Sequence, residues 1–234
     1  MQHEHTSKQF DTDLEAVRSS VLQMGGMVEQ QIIHATEALT NGDLLLADRV
    51  IEDDHAVNTM EVTIDEDCSR IIVRRQPAAG DLRMIVTMLK TITDLERIGD
   101  EAEKVARMTK LLYGTDRLEL PRFVGVHHMS NLVLDMLRKS LDAFARLDIG
   151  AAVPVVRQDV QVDDEFTSSL RHLITFMVED PRKISTAIEI LFAVKAFERI
   201  GDHAKNIAEY VVFMVKGKDV RHLNSAEEIE LLLK

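Results

Sequence analysis

Apolar residues along the chain recur every three to four positions, the period of a helix with one buried face. This rhythm stops only at a few points: Asn41-Gly42, Gln76-Pro77, Gly114, Pro121, Gly150, Glu179-Asp180-Pro181 and Gly217. The stops define six helical segments, over approximately 8–40, 43–75, 80–112, 122–147, 151–178 and 182–216. Each would be about 40–50 Å long. Asp43 and Asp81 sit near helix starts, where an acid suits the positive end of the dipole. Pro154 is expected in the first turn of its helix, where a missing N–H costs nothing. Ser225 and Glu228 have capping-box spacing for a short amphipathic tail ending at Leu233.

The third and sixth segments are related. Aligning Thr91–Met108 with Ala193–Tyr210, an offset of 102, gives seven identities in eighteen positions. Five form the string Glu-Arg-Ile-Gly-Asp, at Glu96–Asp100 and Glu198–Asp202. Similar amphipathicity aligns apolar residues, not a contiguous polar string. The second and fifth segments correspond more weakly, with Asp54, Val57 and Asn58 against Asp159, Val162 and Asp163. A duplicated three-helix unit accounts for both relations, with units at 1–116 and 117–234. Short connections force antiparallel neighbours, so the expected fold is all-α, two tandem three-helix bundles.

Composition supports an all-α chain and narrows the partners. Aromatic residues are only 4% with no Trp, which disfavours sheets. Asp and Glu total 40 against 28 Lys and Arg, a net of −12, so the basic face needed by a nucleic-acid binder is missing. A single cysteine, Cys68, forbids an internal disulfide and fits a reducing compartment. The first ten residues are polar, without the apolar core of a secretion signal. The longest nearly apolar stretch, Ala187–Phe197, contains Glu189 and Lys195 and is too short to span a bilayer. These features predict a soluble, cytoplasmic protein.

On a helical wheel of the third segment, Glu96 and Glu103 fall within the apolar stripe of Ile85, Leu89, Ile92, Gly99 and Ala106, with Asp100 at its edge. Arg83, Lys90, Arg97, Glu101 and Lys104 take the opposite face. Glu96 and Asp100, at i and i+4, place like charges side by side, which destabilises a helix unless something compensates. The second segment carries Asp54, Asn58, Glu61 and Asp65 on one stripe. If the two stripes face each other, their oxygens converge in a set suited to hard or borderline cations such as Mg, Mn, Ca or Fe. Asp159 and Asp163 facing Glu198 and Asp202 repeat the arrangement, with Phe166 in place of Glu61 and Lys205 in place of Glu103. The alternative is that Arg74, Arg75 or Arg171 neutralises these acids by ion pairing. Gly99 and Gly201, each in mid-helix, point to close helix approach with or without metal.

Other candidates carry less. Glu52-x-x-His55 has the ligand spacing of di-iron bundles, but such sites need two copies and there is one. His127, His128 and His203 have no partners at ligand spacing, and Cys68 lies within a helical run, as a buried thiol would. No phosphate loop or nucleophile constellation appears, so no enzyme is indicated. The sixth segment is apolar nearly all round, with Ile188, Phe192 and Tyr210 opposite Val194, Phe197 and Ala208. Packing by the other bundle or a homodimer interface would explain this, and an association surface is expected.

The chain resembles the PhoU family of phosphate-signalling proteins. The resemblance is carried by Gln76-Pro77-Ala78-Ala79-Gly80-Asp81-Leu82-Arg83 leading into Asp94–Asp100, and by Asp180–Ile184 leading into Phe197–His203. Asn206–Glu209 and Gly217–His222 extend it to nearly the whole chain. It implies two bundles related by a pseudo-twofold axis and a cytoplasmic, non-enzymatic negative regulator of the phosphate-starvation response. Implied partners are the ATPase subunit of the phosphate ABC transporter, a membrane sensor histidine kinase and a second copy of the chain, with peripheral membrane attachment through these partners. The resemblance also implies iron, zinc, manganese or magnesium ions on Glu96/Asp100 and Glu198/Asp202, faced by Asp54, Asn58, Asp159 and Asp163. Ala196 stands where the first repeat has Asp94, and the second unit is poorer in acids. Two other readings are a carboxylate bundle with redox or storage chemistry, and a metal-free helical scaffold.

Overall fold

A computed structural model describes residues 8–114, 124–220 and 228–229. Six long helices follow one another: α1 (Lys8–Asn41), α2 (Leu44–Arg75), α3 (Ala79–Tyr113), α4 (Val124–Arg146), α5 (Ile149–Glu179) and α6 (Ile184–Lys216). A 3-10 turn, Pro181–Lys183, leads into α6. The described residues contain no strand. Each helix lies within a few residues of the span predicted from the apolar rhythm. Short loops force α1, α2 and α3 to pack antiparallel, and α4, α5 and α6 likewise. The two units then join along α1 against α4 and, more extensively, α3 against α6. Among the described residues α2 touches only its own unit, and so does α5, which places these two helices outermost.

The turns show the duplication in backbone detail. Asp43 caps α2, its carboxylate accepting from Leu46 N at 2.9 Å, and Asp148 caps α5 by accepting from Ala151 N at 3.2 Å. Asp43 N donates to Ala38 O and Asp148 N to Ala143 O, both at 3.0 Å. Each turn passes through a left-handed residue, Gly42 (φ 68°) in the first and Leu147 (φ 56°) in the second. At Gly42 the Tyr113 ring lies 2.7 Å from where a Cβ would stand, so both backbone and space demand glycine there.

Pro154 corrects an expectation. Because α5 begins at Ile149 rather than 151, the proline sits in its second turn. The Gly150 carbonyl therefore loses its usual i+4 donor. The side chain points to solvent, where water can replace that bond. For the expected tail, only Glu228 and Ile229 are described, both helical with Ile229 buried, and the Ser225 cap lies outside the described residues.

One continuous core runs through both units, from Phe10 and Val21 through Ile92 and Leu95 to Phe144, Phe197 and Val211. Cys68 is part of it, fully buried and unpaired. Burial pushes its thiol up to about 12, with the charges of Asp65 and Asp67 adding to the effect. Among the described residues no helix is long and apolar enough to cross a membrane.

Candidate metal and interface sites

The first acidic cluster forms where α1, α2 and α3 meet around Gly99. Asp54 is buried, and two amides donate to its carboxylate: Gln31 Nε2 to Oδ1 at 3.3 Å and Asn58 Nδ2 to Oδ2 at 3.0 Å. Both amides then leave a carbonyl oxygen, Gln31 Oε1 and Asn58 Oδ1, buried without a hydrogen-bond partner. Gln31 is only 3% exposed, so its orphan oxygen costs free energy unless some group reaches it. A Cβ at position 99 would stand 3.0 Å from Asp54 Oδ1 and 3.1 Å from Gln31 Oε1. Glycine is what lets these oxygens approach α3. Glu61 accepts weakly from Thr93 Oγ1 at 3.4 Å.

Glu96 and Asp100 complete the cluster from α3. Burial, then Asp100, Glu61 and Asp54, hold the Glu96 carboxyl above its usual range. Asp100 is raised by partial burial, then by Asp54, Glu103 and Glu101, with Arg199 opposing. Glu103 is taken by Arg107 at 2.5 Å. The predicted facing of α2 and α3 is therefore present, and like charges crowd there. As they stand, no three His, Cys, Asp or Glu side chains among the described residues converge closely enough to enclose an ion. Asp65, at the end of the α2 stripe, is exposed.

The second cluster has the same helices in the same places and a different filling. Asp159 is buried, and Lys205 Nζ donates to its Oδ2 at 2.6 Å. Lys195 Nζ lies 2.5 Å from Glu198 Oε2, an ion pair too poorly aligned to be a hydrogen bond, and also sits 5.1 Å from the Phe166 ring centre. Burial alone would lower the Lys205 ammonium, but the bond to Asp159 and the charges of Asp159, Glu209 and Asp202 hold it above its usual range. Asp202 is pushed up to about 6, first by burial and then by Glu198 and Asp159. Asp163 is raised by burial and by the same two neighbours in reverse order. Around Gly201 the nearest atoms are Val162 and Val133 methyls, 3.3 and 3.5 Å from a would-be Cβ, where the first unit has Asp54 and Gln31.

Of the arginines named as alternative partners for the acids, Arg74 and Arg75 lie elsewhere and Arg171 is exposed. Arg75 pairs with Asp13 at 3.2 Å, and Arg74 lines a cleft beside it at the far end of α2. Lys205, Lys195, Arg107 and Arg199 are the cations that reach the acids instead. Glu52, His55, His127 and His128 are all exposed and gather no partners at ligand distance.

One residue was misjudged on the wheel. Glu101, assigned to the polar face, is 5% exposed, because that face of α3 meets α6. It accepts from Lys104 Nζ at 3.2 Å and pairs with Arg199 Nη1 at 2.6 Å. His203, without a partner at ligand spacing in the sequence, lies buried with Nδ1 2.7 Å from Asp94 Oδ1, which also accepts from Asn206 Nδ2 at 3.1 Å. Lys90 covers the Tyr210 and Phe213 rings at 5.5 and 5.1 Å along the same seam. Tyr210 is thus covered within the chain, whereas Ile184, Ile188 and Phe192 stay exposed, Phe192 by 49%. Periodicity alone could not have found the Asp94–His203 contact, which joins residues 109 apart.

Comparison with known proteins accords with this duplicated architecture. The family model for the PhoU domain matches twice, over residues 21–109 and 126–211. A Pseudomonas aeruginosa protein called phosphate-specific transport system accessory protein PhoU homolog is 50% identical over 230 residues, covering 97% of this chain and 94% of that one. The Escherichia coli K12 protein called phosphate-specific transport system accessory protein PhoU is 46% identical, covering 98% and 95% respectively. The crystal structure of PhoU from Pseudomonas aeruginosa superposes with a TM-score of 0.85 at 48% identity, over 89% of this chain and all of that one. That of the phosphate transport system regulatory protein PhoU from Streptococcus pneumoniae gives 0.83 at 27% identity, over 90% and 99%. With two domain matches, one per three-helix unit, and relatives similar along nearly their whole length, the chain belongs to the PhoU family.

Proposed function

We propose that this protein is an accessory regulator of phosphate-specific transport. It acts as an adaptor between the ATPase subunit of the phosphate ABC transporter and the sensor histidine kinase of the phosphate response, and represses that response when phosphate is plentiful. The observation that carries this reading is the 50% and 46% identity, over nearly the full chain, to relatives named as accessory proteins of phosphate-specific transport. The described residues suit an adaptor: two rigid bundles hold long outer helices, α2 and α5, that their own unit covers on one side only.

The exposed row Ile184, Ile188 and Phe192, one turn apart on α6, supports self-association as a homodimer. Phe192→Glu should shift a dimer to monomer in sedimentation with unchanged helix content; an unaltered dimer would remove this face from the interface.

The first cluster fits a hard cation. Its donors are carboxylate and amide oxygens, and two amide carbonyls are buried without partners. Asp54, Asn58, Glu61, Glu96 and Asp100 would hold such an ion, with Gln31 beside them. A bound divalent ion would relieve the repulsion that raises the Glu96 and Asp100 carboxyls and would tie α2 to α3. The second cluster, with two ammonium groups among its acids, fits poorly. Redox or storage chemistry gains nothing from this geometry, since no histidine joins the oxygen donors and the one Glu-x-x-His pair is exposed.

A phosphate-responsive reporter in a strain lacking this protein, grown with excess phosphate, tests the reading. Constitutive expression that the wild-type gene silences is the expected result, and normal repression in the deletion strain would overturn it. Complementation with Glu96→Ala/Glu198→Ala then reports whether the acidic motifs contribute to repression.

A further inference from the structure

The two acidic clusters occupy equivalent places, yet three of their positions lose an acid or gain a base in the second unit, against one, Asn58 to Asp163, that gains an acid. Thr93, Glu61 and Glu103 of the first unit correspond to Lys195, Phe166 and Lys205 of the second. Val133 takes the place of Gln31 beside the mid-helix glycine. The first cluster gathers the carboxylates of Asp54, Glu61, Glu96, Asp100 and Glu103, and among the described residues only Arg107, at its rim, pairs with one of them. The second gathers Asp159, Asp163, Glu198 and Asp202 around two ammonium groups. Its buried carboxylate, Asp159, takes a short bond from Lys205, whereas its counterpart Asp54 has only amide donors. The first cluster keeps buried acceptors, Gln31 Oε1 and Asn58 Oδ1, without partners, and Gln31 is nine-tenths and more buried.

We infer that Lys205 is the resident cation of the second cluster, standing where the first unit leaves room for a divalent ion, so that the chain takes one such ion and not two. This rests on the cation reading of the first cluster given above. The physical reason is local. An ammonium held 2.6 Å from Asp159 neutralises the carboxylate an ion would need, and it repels a second positive charge at short range. Unlike an ion, it cannot dissociate, so the second unit keeps its α5–α6 tie whatever the metal supply. Only the first unit would respond to divalent cations. The duplication thus yields one constitutive and one conditional bundle.

The test counts bound Mn(II) by the paramagnetic resonance of the free ion, on the full chain freed of metal by chelation. Expected is one ion for the wild type, lost in Asp54→Ala and retained in Asp159→Ala. Lys205→Met, which keeps the stem and removes the charge, should bind two; Lys205→Arg should stay at one. The reciprocal change Glu103→Lys should weaken the first site by about tenfold or more, because a unit charge then opposes the ion at short range. Two ions in the wild type, or one in a folded Lys205→Met, would overturn the inference. Should Lys205→Met not fold by circular dichroism, unimpaired Mn(II) binding by Glu103→Lys would overturn it instead. No ion in the wild type would refute the reading of the first cluster alone. Lys205→Met would then still decide: a gained ion keeps the role of Lys205, and none removes it.

Discussion

His203 Nδ1 lies 2.7 Å from Asp94 Oδ1, a buried contact that joins α6 of the second unit to α3 of the first. The same seam carries Arg199 on Glu101 at 2.6 Å and Lys90 over Tyr210 and Phe213. Pseudo-symmetry does not repeat the contact, because the position equivalent to Asp94 is Ala196 and that equivalent to His203 is Glu101. The seam between the units is therefore polar and directional, and it specifies one arrangement of the two bundles.

Removing one partner of that contact leaves the other buried and unsatisfied. Asp94→Ala and His203→Ala should each cost about 1–3 kcal/mol in urea unfolding. The double mutant should lose less than the sum of the two, as coupled residues do. Strictly additive losses would show that the pair contributes no interaction.

Asp202 should make stability fall as pH rises. Its folded value of about 6 exceeds the unfolded one near 3.8, so the folded state binds more protons between them. The associated stability is complete below the unfolded value and is lost as pH climbs through 6. Asp202 is partly exposed, so solvent screening keeps the effect to about 1 kcal/mol or less. In chelator, Asp202→Asn should therefore raise the melting temperature at pH 7.5 and have little effect at pH 4.5. Equal gains at both values would contradict the shift.

The two mid-helix glycines should respond differently to alanine. Each change gains up to about 1 kcal/mol of helix propensity. At Gly201 the new methyl meets Val162 and Val133 methyls at 3.3–3.5 Å, which a small shift accommodates. At Gly99 it meets two polar oxygens at 3.0 and 3.1 Å and would drive Asp54 from its amide donors. Gly201→Ala should melt at or above the wild-type temperature and Gly99→Ala below it; the reverse order would refute this account of Gly99.

Cys68 should resist modification in the native protein. It is fully buried, and its thiol is pushed up to about 12, so almost no thiolate exists at neutral pH. A disulfide reagent should label it only upon unfolding, at a rate that follows denaturant concentration. Fast labelling of the folded protein would show that α2 opens there.

Much of this was legible in one dimension. The apolar rhythm gave six helices to within a few residues, since each buries one stripe and each loop is marked by Gly, Pro or Asp. The Glu-Arg-Ile-Gly-Asp repeat revealed the duplication, and the stripe of Asp54, Asn58 and Glu61 was correctly set against Glu96 and Asp100. A wheel describes a helix with one covered face. It therefore failed on α3, which is covered on a second side by α6, and misplaced Glu101.

What the sequence determined by itself is local or repeated: helix spans, the acids Asp43 and Asp81 at helix starts, the pairing of like elements, and the acids that face across a single unit. Only the tertiary structure decided which distant side chains meet the buried acids. Lys205 reaches Asp159 across 46 residues, and His203 reaches Asp94 across 109. Such partners are chosen by how α3 packs on α6 and α5 on α6. Helical periodicity fixes which side a residue faces, but not which distant helix will be waiting there.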